Sequence, residues 1–338
     1  MPSAGWILSS FPSLLFLFIG LGVGDASPAQ VTDASPAPST RVSAVHDAAA
    51  ATLSFAVDGK EAFVYQHRAS WAIPHIWPLR SPTGRPLTVQ RTEPFPHHRS
   101  LWVVDRVQLE DGPVTDFYHE WSNLRDAERP ELGHHSYIRH DCLVAARSGE
   151  HRASARAELT WIVKGDVPVL GQALDFELED LGEGEYILNL SWALRATYGD
   201  VKFLSDWVHY AWPYLRMDPT FSGEQGGTIV DNLGRRGQAE TNEKYAAWID
   251  YSNTIDGVTE GLAVLLPADG QPRKWLTREY GTFGPRRPDE WSGTNFTLKR
   301  GETLAGEVAI LVHKGDAKGG RVAERYAAWI TQRVSRAR

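Results

Sequence analysis

Strict alternation of apolar and mixed residues is the feature that most constrains how this chain folds. In the stretch EYILNLSWALRATY, every second residue from Tyr186 to Leu194 is large and apolar, and the residues between them vary in character. A period of two is typical of a β-strand with one face in the core and one face in water or a groove. The stretch therefore predicts a strand in an antiparallel sheet that is covered on one side.

Strand patterns continue through most of the chain, and only the C-terminal end differs. The stretches AELTWIV, GLAVLLP and LAGEVAILVH are typical of buried strands, and RSLWVVDRVQL predicts one continuous strand. Near the C terminus, apolar residues fall at helical spacing, namely Val322, Tyr326, Trp329, Ile330 and Val334. We therefore predict a mainly β fold, a large antiparallel β-sandwich with a C-terminal α-helix over 320–335.

The beginning of the chain predicts export rather than fold. Residues 14–23 form a short apolar core that is typical of a secretory signal peptide and too short to cross a bilayer, with an uncleaved anchor as the alternative. Cleavage is predicted after about Ala26, which indicates a secreted or periplasmic protein. Residues 27–50 are rich in Pro, Ala and Ser and predict a disordered linker. Residues 51–338 remain as a single β-sandwich domain that includes the helix.

Composition excludes some partners and favours others. The net charge is −7 with no basic block, which argues against nucleic acid as a partner. No apolar stretch in the mature chain is long enough to span a membrane. The chain has 13 Trp, 11 Tyr and 12 Phe, whose rings fill cores but also pack against sugars. We expect a carbohydrate or another small molecule as ligand, and the sequence leaves the oligomeric state open.

Two further residues have predicted environments. The only cysteine, Cys142, excludes an internal disulfide, and alternating residues around it predict a buried core thiol. In the rigid aromatic stretch HYAWPYLRM, Arg216 is predicted to lie among aromatic rings.

Adjacent histidines in the stretch PFPHHRSLW are the strongest candidates for chemistry. His97, His98 and Arg99 stand together there, and Asp116 and His119 follow in TDFYHEW. Histidine titrates near neutral pH, and a neighbouring carboxylate orients its ring and raises its pKa. We predict His98 as the general acid or base, with His97 or His119 assisting, Asp116 as a catalytic carboxylate, and Arg99 holding negative charge.

A second polar segment is predicted to contribute to substrate binding. In RKWLTREYGTFGPRRP, Arg278 and Tyr280 share one face if the segment is extended. Asp250, in EKYAAWIDYSNTIDG, is predicted to reach the same pocket. Trp102 and Trp275 are predicted to pack against a sugar ring. The alternative for this segment is a solvated charged edge over a packed Trp275.

Spacing leaves the carboxylate partner and the metal question open. Four carboxylates qualify as the partner of the histidines: Asp116, Glu120, Glu240 and Asp250. Further histidines are available as metal ligands: His119, His134, His135 and His140. No HxH, HExxH or two-His-plus-carboxylate spacing is present, so we predict no metal and no other cofactor, with a transition metal as the alternative. The non-functional alternative for His97 and His98 is that their rings only form hydrogen bonds with backbone carbonyl oxygens of the loop.

Four motifs occur together in a known family. They are WPLRSPTGRPLT, PHHRSLW, AAWIDYS and TREYGTF, in this order and at similar spacing. The chain resembles the PmoA-like family of secreted bacterial proteins over residues 53–315. The resemblance implies a β-supersandwich similar to the galactose-mutarotase-like fold, which often carries carbohydrate chemistry. It also places the family's most regular polar residues on His97, His98, Arg99, Trp102, Asp250, Arg278 and Tyr280.

Three functional hypotheses follow from the sequence. The leading hypothesis is a secreted or periplasmic carbohydrate-active enzyme with histidine-centred acid/base chemistry, similar to an epimerase, a mutarotase or a lyase. The second is a non-catalytic carbohydrate-binding or envelope-associated protein. The third, suggested by the name "methane oxygenase" given to the PmoA-like family, is a metal-dependent oxygenase.

Overall fold

Antiparallel β-sheets make up most of the structure, a computed structural model that describes residues 40–119, 135–204 and 211–336. The predicted signal peptide, the predicted cleavage site and most of the predicted linker lie outside these residues. The described residues belong to one unit of the chain. No helix within them is both long enough and apolar enough to cross a membrane.

The first sheet has eight strands in the described part of the chain, and all paired neighbours are antiparallel. In sheet order these strands are β1 (Val42–Asp47), β2 (Thr52–Val57), β3 (Lys60–Gln66), β4 (His75–Leu79), β5 (Leu101–Trp102), β13 (Tyr214–Arg216), β18 (Thr282–Pro285) and β17 (Trp275–Thr277).

A second sheet of eight strands and a third of four are also antiparallel. The second sheet contains, in order, β14 (Thr228–Asp231), β15 (Trp248–Ile255), β16 (Val258–Leu265), β20 (Thr303–Lys314), β11 (Glu185–Arg195), β10 (Val167–Gly182), β9 (Arg152–Val163) and β8 (Tyr137–Arg147). The third contains β19 (Phe296–Leu298), β12 (Val201–Phe203), β6 (Arg106–Leu109) and β7 (Thr115–Asp116).

Helices are few among the described residues. They are α1 (Gly237–Thr241), α2 (Val322–Arg336) and three short 3-10 helices at Ala69–Trp71, Pro219–Phe221 and Gly223–Gln225.

Aromatic side chains join the first two sheets into a sandwich. Phe55 of β2 stacks on Phe63 of β3 at 4.4 Å between ring centroids and contacts Phe176 of β10 at 6.1 Å. The Tyr186 hydroxyl of β11 donates to the carbonyl oxygens of Ala62 and Arg80, each at 2.9 Å. Burial of such rings is the main stabilising contribution in a fold of this kind. The predicted mainly β sandwich with a C-terminal helix is confirmed.

Helix α2 packs on the outer face of the second sheet. Val322 and Trp329 of the helix lie in an apolar cluster with residues of β11, β15, β16 and β20. The Trp329 indole N–H donates to Asn189 Oδ1 at 2.8 Å. Ile187 therefore becomes buried even though it points away from the sandwich core.

Two boundaries predicted from the sequence are wrong. The linker was predicted to extend to residue 50, but β1 begins at Val42, whose side chain is fully buried and which pairs with Val57. The stretch RSLWVVDRVQL was predicted as one strand, but it divides between β5 in the first sheet and β6 in the third. The break covers residues 103–105, and the Asp105 carboxylate accepts from the Arg106 backbone N–H where β6 begins.

The predicted burial of Cys142 is also wrong. The thiol is exposed, because β8 is the outermost described strand of the second sheet and most of its residues from Asp141 to Arg147 face water.

Three imidazoles meet where β1, β3 and β8 approach one another. His46 Nε2 and His67 Nε2 are 3.3 Å apart, and the rings of His67 and His140 are 3.9 Å apart. Burial, with repulsion from His140 and His46, lowers the pKa of His67 to about 4. The fold therefore requires His67 to be neutral.

This cluster predicts loss of stability in mild acid. The unfolded chain binds a proton at His67 below about pH 6.5, whereas the folded chain does so only near pH 4, so stability falls as the pH drops between these values. We expect His67→Gln to reduce the loss in urea midpoint between pH 7 and pH 5. The exposed His151→Gln is the control and should behave like wild type. An equal loss in wild type and His67→Gln would contradict the prediction.

Candidate functional site

Strand pairing brings three distant sequence motifs to one place. β13 lies between β5 and β18, with Tyr214 opposite Trp102 and Arg216 opposite Thr282. The PHHRS segment directly precedes β5, Arg216 ends β13, and the REYG segment directly precedes β18. The structure therefore places the histidines, Arg216 and Tyr280 together at one end of the first sheet.

An exposed histidine is paired with a carboxylate at this end. His119 Nδ1 lies 2.8 Å from Asp116 Oδ2, and 47% of the His119 side chain is exposed. Asp116 Oδ1 also accepts the Tyr118 backbone N–H at 3.0 Å, which fixes the carboxylate in a short turn after β7. The pair is local in sequence, and its imidazole is about half exposed.

His98 lies beneath this pair and is buried. Its Nε2 is 2.7 Å from the Tyr118 hydroxyl, and its Nδ1 is 3.3 Å from Thr282 Oγ1. Burial, with the charges of His97 and Arg216, lowers the pKa of His98 to about 2. His98 is therefore neutral at working pH, and it holds Tyr118 rather than facing a ligand.

His97 stands between the two other histidines. Its ring lies 4.5 Å from that of His98 and 4.8 Å from that of His119. Burial and the neighbouring His119 lower the pKa of His97 to about 4, although Asp116 opposes the shift. His97 is only half-buried, so a neutral imidazole with an available N–H lies at the surface of the cluster.

The Arg278 to Tyr280 segment completes the cluster. The Tyr280 ring lies 4.8 Å from Phe95 and 6.4 Å from His98. Arg278 is held by Asn242, whose Oδ1 accepts from Nη1 at 2.8 Å. The two half-buried rings of Phe95 and Tyr280 form an aromatic surface beside the imidazoles.

A glycine makes this arrangement possible. Gly281 has φ +98°, a left-handed conformation that side chains rarely adopt, and a Cβ there would stand 3.0 Å from Met217 Cβ. The turn at Gly281 therefore lets Tyr280 lie over β13 before β18 begins.

Arg216 is the buried cation of the cluster, as its sequence context predicted. Its guanidinium carbon lies 4.8 Å from the Tyr280 ring centroid, and the residue is 3% exposed. Nε and Nη1 are buried without a hydrogen-bond partner among the described residues. The prediction that Arg216 lies among rings is confirmed.

Three predicted ligand-contacting residues are buried instead. Arg99 is 0% exposed and donates to the Trp71 carbonyl oxygen at 2.6 Å. Trp102 packs against Tyr118 and Tyr214, and Trp275 is fully buried and donates its indole N–H to the Ala246 carbonyl oxygen. The predictions that Arg99 holds substrate and that Trp102 and Trp275 stack on a sugar are wrong, because these side chains support the site from below.

Asp250 lies elsewhere, in a buried ion pair. Its Oδ2 is 2.6 Å from His313 Nε2, Ser252 donates to Oδ1 at 2.9 Å, and both members of the pair are 0% exposed. Burial opposes protonation of His313, but the charge and hydrogen bond of Asp250 outweigh it and raise the pKa of His313. The predicted role of Asp250 in substrate binding is therefore wrong, because its carboxylate is consumed by His313.

The other candidate partners and ligands are placed as follows. Glu240 accepts the Arg236 backbone N–H at the start of α1, and Glu120 and His134 lie outside the described residues. His140 belongs to the cluster at β1, β3 and β8. Within the described ranges, no group of three His, Cys, Asp or Glu side chains is arranged to hold a metal ion.

Sequence reasoning missed two residues of the cluster. Tyr118 and Thr282 hold the two nitrogens of His98. Both follow or begin very short strands, so no periodic pattern marked them. The order of motifs around the sheet would have been needed to find them.

A groove of about 410 Å³ crosses the outer face of the second sheet beside α2. Its charged groups pair with one another, as Arg156 does with Asp175 at 3.1 Å and Arg333 does with Glu307. This groove is therefore a weaker candidate than the histidine cluster.

Comparison with known proteins identifies a family but no activity. Residues 52–327 match a family of unknown function (DUF6807), and no curated protein matches the chain. The chain is similar to the GH36 α-galactosidase AgaB from Geobacillus stearothermophilus, with 11% identity and a TM-score of 0.45 over 82% of this chain and 42% of that one.

A second solved structure is similar to the same degree in sequence. It is a variant of the GH36 α-galactosidase AgaA from Geobacillus stearothermophilus in complex with 1-deoxygalactonojirimycin, with 11% identity and a TM-score of 0.39 over 82% of this chain and 41% of that one. The chain spans less than half the length of either enzyme.

The Asp250–His313 pair predicts a structural role. Removing one partner leaves a buried charge uncompensated, so we expect Asp250→Ala to lower the free energy of unfolding by about 3–5 kcal/mol. The part-exposed Asp175, paired with Arg156, is the control, and Asp175→Ala should cost no more than about 1 kcal/mol. Urea unfolding measures both. An Asp250→Ala protein of wild-type stability that no longer binds ligand would restore the binding role.

Proposed function

The chain belongs to a family of unknown function, DUF6807, and we propose that it is a carbohydrate-active enzyme with histidine-centred acid/base chemistry. The observation that carries this proposal is the half-exposed His119, paired with Asp116 and in ring contact with His97. The reaction would transfer a proton at a sugar carbon or ring oxygen, as in epimerisation, mutarotation or elimination.

His119 is the group proposed to exchange the proton. Asp116 holds its Nδ1 at 2.8 Å, which fixes the ring in position for proton exchange. The neutral His97 lies one ring contact away and would donate a hydrogen bond to a substrate oxygen. This assignment replaces His98 as the acting base, since His98 is buried between Tyr118 and Thr282.

The binding surface proposed for the sugar is polar on one side and aromatic on the other. Phe95 and Tyr280 present half-buried rings, which suit the apolar face of a sugar. Burial raises the pKa of Tyr118, and the charge of Arg278 partly offsets this shift, so Arg278 lies near the site. Its guanidinium would bind sugar oxygens. These two kinds of contact support a polyhydroxylated ligand over a purely apolar one.

Export of the protein and membership of the PmoA-like family are also proposals. Both rest on sequence, namely the apolar segment at 14–23 and the four shared motifs. Amino-terminal sequencing of the protein from its natural compartment would locate the cleavage site, expected after about Ala26.

Substitution of His119 tests the acid/base assignment. We expect His119→Gln to lower kcat by about a hundredfold or more on a sugar that the wild type converts, because positioned proton transfer contributes that much. The exposed His151→Gln should keep wild-type turnover. A panel of aldoses, uronic acids and glycosides, followed by nuclear magnetic resonance for epimerisation and elimination, provides the assay.

The alternatives give different results in that assay. Turnover that is equal in wild type and His119→Gln would remove His119 from the mechanism. Sugar binding without turnover of any panel member would favour a non-catalytic carbohydrate-binding protein.

Metal removal tests the oxygenase hypothesis. Because the proposed proton transfer uses side chains alone, we expect turnover to survive dialysis against EDTA and elemental analysis to find copper, iron and zinc well below one ion per chain. Activity that disappears with EDTA and returns with copper or iron would contradict the proposal. Wild-type protein dialysed without EDTA is the control.

A further inference from the structure

Arg216 carries a charge that has no counterion among the described residues. Its Nε and Nη1 are buried and have no hydrogen-bond partner among the described residues. Only 3% of the residue is exposed to solvent. No ion pair joins it to a carboxylate within the described ranges. Burial lowers the pKa of Arg216, which expresses the same unfavourable environment.

An uncompensated buried cation is costly. A charge transferred from water to a protein interior loses several kcal/mol unless it is paired and hydrogen-bonded. The Tyr280 ring at 4.8 Å offers a cation–π contact, which recovers only part of that loss. An arginine that is buried at this cost in free energy indicates a negatively charged partner that is supplied from outside the fold.

The carboxylates near Arg216 are engaged elsewhere or stay in water. Asp116 binds His119 and the Tyr118 backbone. Glu279 accepts the Gln238 backbone N–H at 2.6 Å. Glu224 influences Arg216 electrostatically but is exposed. His97 and His98 are neutral at working pH, so they add no further positive charge beside Arg216.

Access to Arg216 leads through the proposed binding surface. The half-buried Tyr280 ring covers the guanidinium, and the Tyr280 hydroxyl makes no hydrogen bond among the described residues. A ligand that contacts the guanidinium would have to displace this ring, which would break no hydrogen bond of the Tyr280 hydroxyl to a described residue.

We propose that the substrate of this site is an anionic sugar and that Arg216 binds its negative group. The inference rests on the proposed function, because it places the anion beside the His119–Asp116 pair. A carboxylate on a sugar, as in a uronic acid, or a phosphate ester on a sugar would supply the charge. Guanidinium binds either group more strongly than it binds a neutral hydroxyl.

Matched ligands test the charge requirement directly. Isothermal titration calorimetry would compare glucuronate, glucose 6-phosphate and glucose, and then galacturonate, galactose 6-phosphate and galactose. We expect an acid to bind wild type about tenfold to a hundredfold more tightly than its neutral counterpart, which matches a charged hydrogen bond. The carboxylate and phosphate arms separate the two sources of the anion.

Two variants connect that preference to Arg216. Arg216→Gln should bind acid and neutral sugar equally, and Arg216→Lys should keep part of the preference because it keeps the charge but loses the planar fork. Arg333→Gln, which removes an arginine on the outer face of the second sheet, should keep the full preference.

Stability distinguishes a binding role from a structural one. Because Arg216→Gln removes an unpaired buried charge, we expect its unfolding midpoint to equal or exceed that of wild type while acid binding is lost. A folded but strongly destabilised Arg216→Gln protein would overturn the proposal, since the arginine would then serve the fold.

The outcomes also separate this inference from the proposed function. Turnover of neutral sugars that depends on His119, without any preference for acids, would overturn the anion inference alone. Acid binding that depends on Arg216, without turnover of any sugar, would overturn the enzyme proposal alone. No binding of any of the six ligands would overturn the anion inference, and the His119 assay would still decide the enzyme proposal.

Discussion

The pairing of β13 with β5 on one side and β18 on the other is the constraint on which the site depends. Leu215 lies opposite both Leu101 and Phe283, and all three side chains are buried, so the register of these short strands is fixed by the core. A shift by one residue would turn Arg216 to the opposite face. Apolar packing therefore fixes the positions of the site residues, although the residues proposed to act are polar.

Burial divides the cluster into groups that support and groups that can act. His98 is 2% exposed and holds Tyr118 in place, whereas His119 is the histidine that faces water. Desolvation keeps the inner imidazoles neutral, which avoids further positive charge beside Arg216. The same low polarity would strengthen any ion pair that Arg216 forms with a ligand.

The sequence predicted the fold where the pattern is long and failed where it is short. The alternation from Tyr186 to Leu194 correctly predicted the core face of β11, because a strand of 11 residues repeats its period several times. It did not predict that Ile187 is also buried, since α2 arrives from the other end of the chain. The two-residue strand β5 offers no period at all, so its separation from β6 was not predictable.

Composition near a motif could not rank the candidate side chains, because partners are chosen by folding and not by spacing. Asp116 and Asp250 were equivalent in the sequence, yet one binds a histidine three residues away and the other binds a histidine 63 residues away in the core. Local pairs such as the first can be found from sequence, whereas pairs such as the second need the sheet order. The sequence also could not show which aromatic rings are buried. Burial of a large indole ring contributes more to stability than burial of a smaller ring. Trp102 and Trp275 are accordingly buried, whereas Phe95 and Tyr280 lie at the surface of the site.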